Sequence, residues 1–428
     1  MSNTRIEKVT GRQVWDSRGR PTVEAEVWLS GGAFGRAIAP AGASRGTNEA
    51  VDLRDGSERL GGMGVTRAVA NVNGEIAHTL TGKDAHDQHA VDQALIELDG
   101  SANKNRLGGN ATIAVSMAVL HAAAAANGVP LWRHLAQGAQ VTLPLPEIQI
   151  FGGGAHAGRR VDIQDFMIMP LSATSFSEAM TITAEVYRAA GEIMRDAGKL
   201  QGVADEGGYW PAFDSNEEAL TQLTRAIEKA GFTPGEQIGI SLDIAASEFG
   251  RNGRYVLGLE QRELDSDGLC EMLIGWTERY AIVSVEDPLA EDDERGMKAF
   301  SEAVGSKIQV IGDDFLVTNA DRVRQAASAG SCNAVLIKPN QAGTVSETRA
   351  ALLAGQEAGF GIIVSARSGE TEDVTIVHLA TGWNAGQLKV GSFARSERMA
   401  KWNEALRIEE SLGEKARFAG RSVLPGGK

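Results

Sequence analysis

Cysteine is scarce in this sequence, which contains only Cys270 and Cys332. Two cysteines so far apart provide neither a disulfide framework nor a thiolate metal site, and their scarcity is typical of a reducing compartment. Long hydrophobic runs are also missing, because no stretch reaches the roughly 18 consecutive apolar residues of a membrane-spanning helix. Residues 1–14 lack the apolar core of a signal peptide. We therefore expect no membrane partner and a cytoplasmic location.

Positive charge is in deficit. The sequence has 42 Lys and Arg residues against 56 Asp and Glu residues, which gives a formal net charge of −14 at pH 7. This charge argues against nucleic acid and anionic membranes as partners. A small anionic substrate would need local cations or metal ions in order to bind. The length of 428 residues and the hydrophobic content of 43% allow a large core and predict a soluble protein of two domains.

The two predicted domains differ in their sequence pattern. Residues 1–140 begin with alternating stretches such as TVEAEVWL and end in the alanine-rich GGNATIAVSMAVLHAAAAANG, so we expect a small α+β domain there. In residues 141–428, short apolar runs end in polar residues, and amphipathic helices follow at intervals of about 30 residues. This alternation indicates parallel βα units, and enough of them fit to close a (β/α)8 barrel. The predicted fold class is therefore α/β.

Charged or polar residues end the apolar runs of the second domain. The active site of a (β/α)8 barrel lies at the C-terminal ends of its strands. One such residue alone is most simply a solvated charge. Here, however, a series of them follows strand after strand: Asp205, Glu206, Asp243, Glu286, Asp313, Lys338, Arg367, Ser368 and Lys389. The series predicts an active site at this end of the barrel.

Three carboxylates of this series come from adjacent strands, namely Asp243, Glu286 and Asp313. They offer the hard oxygen ligands that Mg²⁺ takes in proteins. Without a metal ion, the three groups would repel one another and raise one another's pKa. A lysine close to such a metal is pushed toward its neutral form and can act as a base. The sequence therefore predicts a Mg²⁺ site with a lysine base beside it.

Stretches of a known pattern span nearly the whole chain: DSRGRPTVEAEV, GASRGTNEA, GGGAHAGRRVDIQDFMIMP, DEGGYWP, LDIAASEF, VEDPLAEDD, LIKPNQAGT and SARSGETED. In these stretches and in their order, the sequence resembles the enolase family. The resemblance implies the enolase fold, in which a small N-terminal α+β domain caps a (β/α)8 barrel. It also implies a lyase with two Mg²⁺ sites that acts on a small phosphorylated carboxylate. A homodimer or higher homo-oligomer is the implied assembly.

The resemblance implies catalytic and metal-binding roles for the matching residues. Lys338 would be the base that removes a proton, and Glu206 would be the acid on the opposite face. Asp165 would also belong to the catalytic group. The first Mg²⁺ would be held by three of the carboxylates, and the second with the help of a serine on the loop GASRG: Asp243, Glu286, Asp313 and Ser44.

A second group of matching residues would bind the substrate. Lys389 would neutralise its carboxylate. Arg367 and Ser368 would bind its phosphate, the arginine through charge-assisted hydrogen bonds. His156 and Gln164 complete the substrate contacts that the resemblance implies.

The sequence departs from the family pattern at several positions. Where enolases read SHRSGETED, this chain has Ala366 in place of the histidine, and where they read GASTG, it has Arg45 in place of the threonine. Asp165 is one methylene shorter than the family's glutamate, and Asn48 stands where a histidine is common. One side chain is removed and one cation is added, which suggests a pocket enlarged for a larger anionic group. Arg45 is therefore a further predicted substrate-binding residue.

Three functions remain open. The favoured hypothesis is a diverged paralogue in phosphonate biosynthesis, of the kind that forms carboxyphosphonoenolpyruvate. The first alternative is the ordinary glycolytic dehydration of 2-phosphoglycerate to phosphoenolpyruvate. The second alternative is a non-catalytic binding protein with the same fold, which the retained metal ligands and lysines disfavour, since such charges repel one another without a metal.

Overall fold

The computed structural model describes residues 4–43 and 45–426. Its N-terminal part combines a three-stranded antiparallel sheet with a group of helices. The strands are β1 (Ile6–Trp15), β2 (Pro21–Leu29) and β3 (Phe34–Ile38), in the order β1-β2-β3. The helices are α1 (Thr66–Asn71), α2 (Ala77–Leu80), α3 (Gln88–Asp99), α4 (Gly109–Ala126) and α5 (Leu131–Ala136).

Helix α4 is the core helix of this part and packs on β2 and β3. Its alanines allow an unusually close approach to the sheet. A Cβ atom at Gly35 of β3 would lie only 2.1 Å from the carbonyl oxygen of Ala118. By length and composition α4 is apolar enough to cross a membrane, but 83% of it is buried inside the fold. The apolar side chains of α4 therefore pack in the protein core.

The remaining chain builds a closed eight-stranded barrel. Its strands are β4 (Leu145–Gly152), β5 (Asp165–Pro170), β6 (Ile238–Asp243), β10 (Ile282–Glu286), β11 (Gln309–Gly312), β12 (Ala334–Ile337), β13 (Gly361–Ser365) and β14 (Gly386–Ser392). A separate small antiparallel sheet holds β7 (Gly250–Arg251), β8 (Arg254–Leu257) and β9 (Arg262–Asp265). The helices are α6 (Phe176–Asp196), α7 (Asn216–Lys229), α8 (Ser266–Arg279), α9 (Glu294–Val304), α10 (Ala320–Ala329), α11 (Pro339–Ala342), α12 (Val345–Glu357), α13 (Thr375–Gly382) and α14 (Ser396–Leu412).

The barrel contains one reversed strand, which differs from the all-parallel arrangement expected from the sequence. Strand β5 pairs antiparallel with both β4 and β6. The connection between β4 and β5, residues 153–164, contains no α-helix that could carry the chain back across the barrel. Because β5 is reversed, its first residue, Asp165, lies opposite Asp243, the last residue of β6. Both carboxylates therefore lie at the same end of the barrel.

The two parts of the chain meet between α5 and β4. We propose that the domain boundary lies between residues 140 and 141, as the sequence predicts. The proposal is supported by the position of this peptide in the segment between Ala136 and Leu145, which contains neither an α-helix nor a strand.

A polar cluster lies inside the barrel below its catalytic end. The Glu147 carboxylate accepts hydrogen bonds from Gln387 Nε2 at 2.8 Å and from Ser241 Oγ at 3.2 Å. Gln387 also bonds to Gln309, whose Oε1 accepts from Ser284 Oγ at 3.2 Å. Burial raises the pKa of Glu147 to about 7, although the Lys389 ammonium opposes this rise. Glu147 is therefore a carboxyl group of the barrel core whose pKa lies close to neutral pH.

We expect Glu147 to make stability depend on pH. Between pH 4.5 and about 7 the folded chain keeps a proton that the unfolded chain has lost, so the free energy of unfolding falls as pH rises. The total loss is about 3 kcal/mol at roughly 1.4 kcal/mol per pKa unit. Glu147→Gln keeps the shape of the side chain without the charge. Denaturant unfolding across this range should therefore show the variant gaining about that amount relative to the native chain.

The matched control is Glu278→Gln, which changes an exposed glutamate of α8. The difference between this variant and the native chain should stay nearly constant over the same pH range. A constant difference for Glu147→Gln as well would show that Glu147 does not titrate near pH 7.

Candidate active site

The structure brings most of the predicted site residues to one cavity at the end of the barrel. Asp243 and Glu286 end their strands, while Asp313 and Lys338 directly follow theirs. The cavity is lined by residues from six of the barrel strands or the loops next to them: His156, Gln164, Asp165, Glu206, Asp243, Lys338, Ala366, Arg367, Ser368 and Lys389. All of these side chains are buried.

Lys389 is the centre of the largest charge cluster. Its Nζ lies 2.9 Å from Asp243 Oδ2, 2.8 Å from Glu286 Oε2 and 3.4 Å from Asp165 Oδ2. Burial alone would lower the pKa of the Lys389 ammonium, but the Asp243 and Glu286 carboxylates outweigh burial and hold that pKa well above its ordinary value. Lys389 is therefore positively charged and neutralises the acidic end of the barrel.

Lys338 forms a second ion pair with Asp313. Its Nζ donates to Asp313 Oδ2, and Gln341 Nε2 donates to the other oxygen at 2.9 Å. Burial would lower the pKa of Lys338, but the Asp313 carboxylate outweighs it and raises that pKa. The sequence predicts that a nearby metal ion pushes this lysine toward its neutral form, and this stays a prediction. The Asp313 carboxylate alone favours the protonated form.

The three carboxylates predicted to bind the first Mg²⁺ are near one another but are separated by these ammonium groups. Asp243 and Glu286 share Lys389, whereas Asp313 pairs with Lys338. Among the described residues, two different clusters have side-chain atoms close enough to share one metal ion. One is His156, Asp165 and Glu206, and the other is Asp287, Asp313 and Asp314. The assignment of Asp243, Glu286 and Asp313 as metal ligands stays a prediction.

The predicted ligands fit a hard divalent cation. Glu286 Oε1 is buried and receives no hydrogen bond from any described residue. Burial, together with the Asp243 carboxylate, raises the pKa of Glu286 well above its ordinary value. Gln164 Nε2 donates to Asp243 Oδ2 at 3.0 Å, while Gln164 Oε1 also lacks a donor in the described part of the chain. An unpartnered carboxylate oxygen among oxygen donors is the environment that Mg²⁺ prefers.

A histidine and two carboxylates form the opposite side of the cavity. His156 Nδ1 lies 3.1 Å from Asp165 Oδ1, and its Nε2 lies 3.8 Å from Glu206 Oε1. Burial lowers the pKa of His156, but the Glu206 and Asp165 carboxylates outweigh it and raise that pKa. Gln149 Nε2 also donates to Asp165 Oδ1. Asp165 is shorter than the family's glutamate but still forms hydrogen bonds with His156 and Gln149.

The predicted phosphate-binding residues already have partners in the N-terminal part. The Arg367 guanidinium donates to Glu49 Oε2 at 3.0 Å and to Asn340 Oδ1 at 3.1 Å. Ser368 Oγ accepts from Arg18 Nη1 at 3.1 Å. A phosphate bound there would contact Arg367, whose guanidinium is already hydrogen-bonded to the buried Glu49 carboxylate.

The sequence analysis did not identify Gln149, Glu49 and Arg18 as site residues. For Glu49 and Arg18 the signal was their place within the family stretches GASRGTNEA and DSRGRPTVEAEV. Gln149 also left a signal, as a polar residue within the apolar run of β4. The N-terminal part therefore completes the site through side chains that bond to the loop after β13.

The positions that depart from the family pattern lie in different places. Ala366 lines the cavity and is held by its backbone N–H, which donates to the Lys389 carbonyl at 2.9 Å. Arg45 is exposed, and its guanidinium lies 3.9 Å from Asp52 Oδ2. It is not among the residues that line the cavity. Ser44, the predicted ligand of a second Mg²⁺, lies outside the described residues.

Fold and site together define a barrel enzyme with a capping N-terminal domain and a buried, charged cavity for a small anion. Residues 6–135 match the family model described as "Enolase, N-terminal domain", and residues 140–425 match "Enolase, C-terminal TIM barrel domain". The chain is also 50% identical over 427 residues to "Enolase 1" of Desulfitobacterium hafniense (strain Y51), which covers 99% of this chain and 98% of that relative. The chain belongs to the enolase family, and it is a carbon–oxygen hydro-lyase of that family.

We expect Mg²⁺ to stabilise the folded chain. A ligand that binds only the folded state raises the melting temperature according to its excess over Kd. Glu286→Gln removes one charged ligand and should reduce the Mg²⁺-induced rise in melting temperature. Thermal unfolding with and without Mg²⁺ measures this rise for each variant.

The control for this experiment is Glu278→Gln, at an exposed position of α8 that does not line the cavity. Its Mg²⁺-induced rise should equal that of the native chain. If Glu286→Gln also keeps the full rise, the metal does not bind at Glu286.

Proposed function

We propose that the chain catalyses the ordinary enolase reaction, the reversible dehydration of 2-phosphoglycerate to phosphoenolpyruvate. The observation that carries this proposal is the gathering of Lys338, Glu206 and Lys389 around one buried cavity. Identity of 50% with a relative named "Enolase 1" along nearly the whole chain supports the ordinary reaction more than a phosphonate paralogue. The exposed position of Arg45 also removes one argument for a larger anionic substrate.

The proposed chemistry uses a base and an acid on opposite sides of the cavity. Lys338 Nζ takes the proton from the carbon next to the substrate carboxylate. Glu206 then protonates the hydroxyl group on the neighbouring carbon. This group leaves as water, and the carbon–carbon double bond forms. Lys338 has to lose its own proton first, and Asp313 controls this step because its carboxylate raises the pKa of Lys338.

Substrate binding and the metal ion complete the proposal. Asp243, Glu286 and Asp313 would hold the first Mg²⁺, and Ser44 would help to hold the second. When bound, Mg²⁺ supplies positive charge beside the substrate carboxylate as negative charge develops there. Lys389 adds a fixed positive charge at the same place. The phosphate would be bound by Arg367 and Ser368 and the rest of the substrate by His156 and Gln164.

Asp165 has a positioning role in this proposal. It accepts hydrogen bonds from Gln149 and His156 and lies beside Lys389, so it links the acid side to the cation of the cavity. Burial opposes ionisation of Asp165, but His156 and Lys389 outweigh it and hold its pKa well below the ordinary range. A permanently ionised Asp165 fixes the ring orientation of His156.

Assembly and location remain as the sequence implies. We propose a cytoplasmic homodimer or higher homo-oligomer that binds neither nucleic acid nor membranes. The net charge of −14 supports the exclusion of nucleic acid and of anionic membranes, since both would repel the chain.

The phosphonate paralogue stays a second candidate because of one observation. Ala366 lies in the cavity wall, where the family has a histidine, and its side chain is smaller than an imidazole. A smaller side chain beside the proposed phosphate site would suit a larger phosphorus group. The two candidates differ in how well the chain should turn over 2-phosphoglycerate.

We expect Lys338→Ala to abolish proton removal. Exchange of the substrate's α-hydrogen with deuterated solvent, followed by NMR, should slow by about 10²- to 10⁴-fold, the usual contribution of a positioned base. Lys307→Ala, at an exposed lysine, is the control and should exchange at the native rate. Exchange at the native rate in Lys338→Ala would mean that another group is the base.

We expect the native chain to dehydrate 2-phosphoglycerate with a kcat/KM in the ordinary enzyme range of about 10⁴–10⁸ M⁻¹s⁻¹. Restoring the family residues, by Ala366→His alone or together with Arg45→Thr, should change this value by less than about 10-fold. The measurement is phosphoenolpyruvate formation followed by absorbance. A slow native chain and a gain of about 10²-fold in Ala366→His, the usual worth of one catalytic donor, would instead favour the paralogue.

A further inference from the structure

A second cavity lies outside the candidate active site, in the cleft between the N-terminal helices α3–α5 and the barrel helices α12 and α13. Its volume is about 350 Å³, and it shares no lining residue with the candidate active site. Part of its wall is apolar and formed by Leu120, Leu135, Leu353 and Trp383. Ligand sites occur preferentially at such junctions between domains, and this volume lies in their usual range.

The charge of this cavity is opposite to that of the whole chain. Its lining contains Arg349 and three histidines, His86, His89 and His134, whereas none of the described residues that line it is acidic. Arg349 is exposed and makes no ion pair or hydrogen bond with another described residue. In a chain with a net charge of −14, an arginine without a carboxylate partner beside an apolar wall marks a place for an anion.

Two imidazoles lie side by side at the edge of the cavity. The rings of His86 and His134 are nearly parallel, with centroids 6.4 Å apart and an interplanar angle of 30°. Asn127 Nδ2 lies 3.1 Å from His134 Nδ1, so the Nε2 atom is left for another partner. Burial, with the help of His86, lowers the pKa of His134. His134 thus presents a neutral ring with one free hydrogen-bonding atom.

Gln88 supplies a polar group at the base of the cavity. Its Nε2 donates to Asp92 Oδ1 and to the Ser116 carbonyl, both at 3.1 Å. Its Oε1 is buried and receives no hydrogen bond from any described residue. This oxygen has almost no accessible surface, so it is not open to a ligand in the cavity.

The base of the cavity is rigid because a buried carboxylate joins both walls. Asp92 of α3 accepts hydrogen bonds from the Ser116 hydroxyl of α4 and from the Ser346 N–H of α12 at 2.8 Å. Gln88 is held in the same network, so its side chain has a fixed direction. A preorganised site loses little freedom when a ligand binds.

We propose that this cavity binds a small anion with a planar ring. Arg349 binds the anionic group, the apolar wall packs against the ring, and His134 Nε2 hydrogen-bonds to a polar atom of the ligand. A heteroaromatic carboxylate and a nucleotide share this chemistry. Inorganic phosphate has no ring and lacks the contacts that the wall provides.

Calorimetric titration of the full chain with indole-3-acetate and with adenosine monophosphate tests the proposal. Excess inorganic phosphate in the cell occupies the phosphate site of the barrel. At least one of the two probes should bind saturably with a Kd at or below about 1 mM. The tighter probe identifies the source as an aromatic carboxylate or a nucleotide, and absence of binding by both overturns the proposal.

Two variants assign the binding to this cavity. Arg349→Gln should weaken binding of the probe by at least about 10-fold, the effect of losing a charge-assisted hydrogen bond. Leu353→Glu places a carboxylate at an exposed wall position and should weaken it further by repulsion. Arg324→Gln is the control, since it changes an exposed arginine of α10 that pairs with Asp321. All three variants should keep the native kcat/KM for 2-phosphoglycerate.

Equal affinities in the native chain and in Arg349→Gln would place the probe elsewhere and overturn the proposal. This result would leave the proposed enolase reaction untouched, because no residue of the second cavity lines the first.

Discussion

The candidate site depends on the balance of buried charge at one end of the barrel. Lys389 and Lys338 lie among the carboxylates of Asp165, Asp243, Glu286 and Asp313, all of them removed from water. Burying an ion costs several kcal/mol unless partners compensate it, so removal of one member leaves the others uncompensated. This constraint explains why strands from most of the barrel each supply one charged residue. The same groups that make the fold costly are those proposed to bind a metal ion and to move a proton.

The N-terminal part belongs to the site as much as the barrel does. Glu49 pairs with Arg367, and Arg18 donates to Ser368 and to the Ala41 carbonyl. These bonds join residues from opposite ends of the sequence and cover the cavity from the side that the strands leave open. The capping part therefore contributes charge to the phosphate side as well as shape.

Much of this arrangement can be predicted from the sequence, and the rest depends on pairings that no local pattern contains. Residues at strand ends are visible because apolar runs stop at them, so the positions of Asp243, Glu286 and Lys338 follow from the run lengths. The direction of β5 is not visible, since a buried strand has the same composition in either direction. The partner of Arg367 is also hidden, because Glu49 lies 318 residues away. Arg45 was predicted to bind substrate, but its guanidinium lies near Asp52 and it does not line the cavity.

The reversed strand has a further consequence for how the two sides of the cavity are supported. After β5 the chain returns through two helices, so Glu206 lies on a link between α6 and α7 and has no barrel strand directly before it. Its place is fixed instead by single backbone bonds, such as Ser392 N–H to the Glu206 carbonyl at 2.9 Å and Asp205 N–H to the His156 carbonyl at 3.0 Å. Lys338, by contrast, continues a strand bonded on both edges. The proposed base, Lys338, therefore continues a barrel strand, whereas the proposed acid, Glu206, lies on a loop with fewer backbone bonds and has more freedom to move.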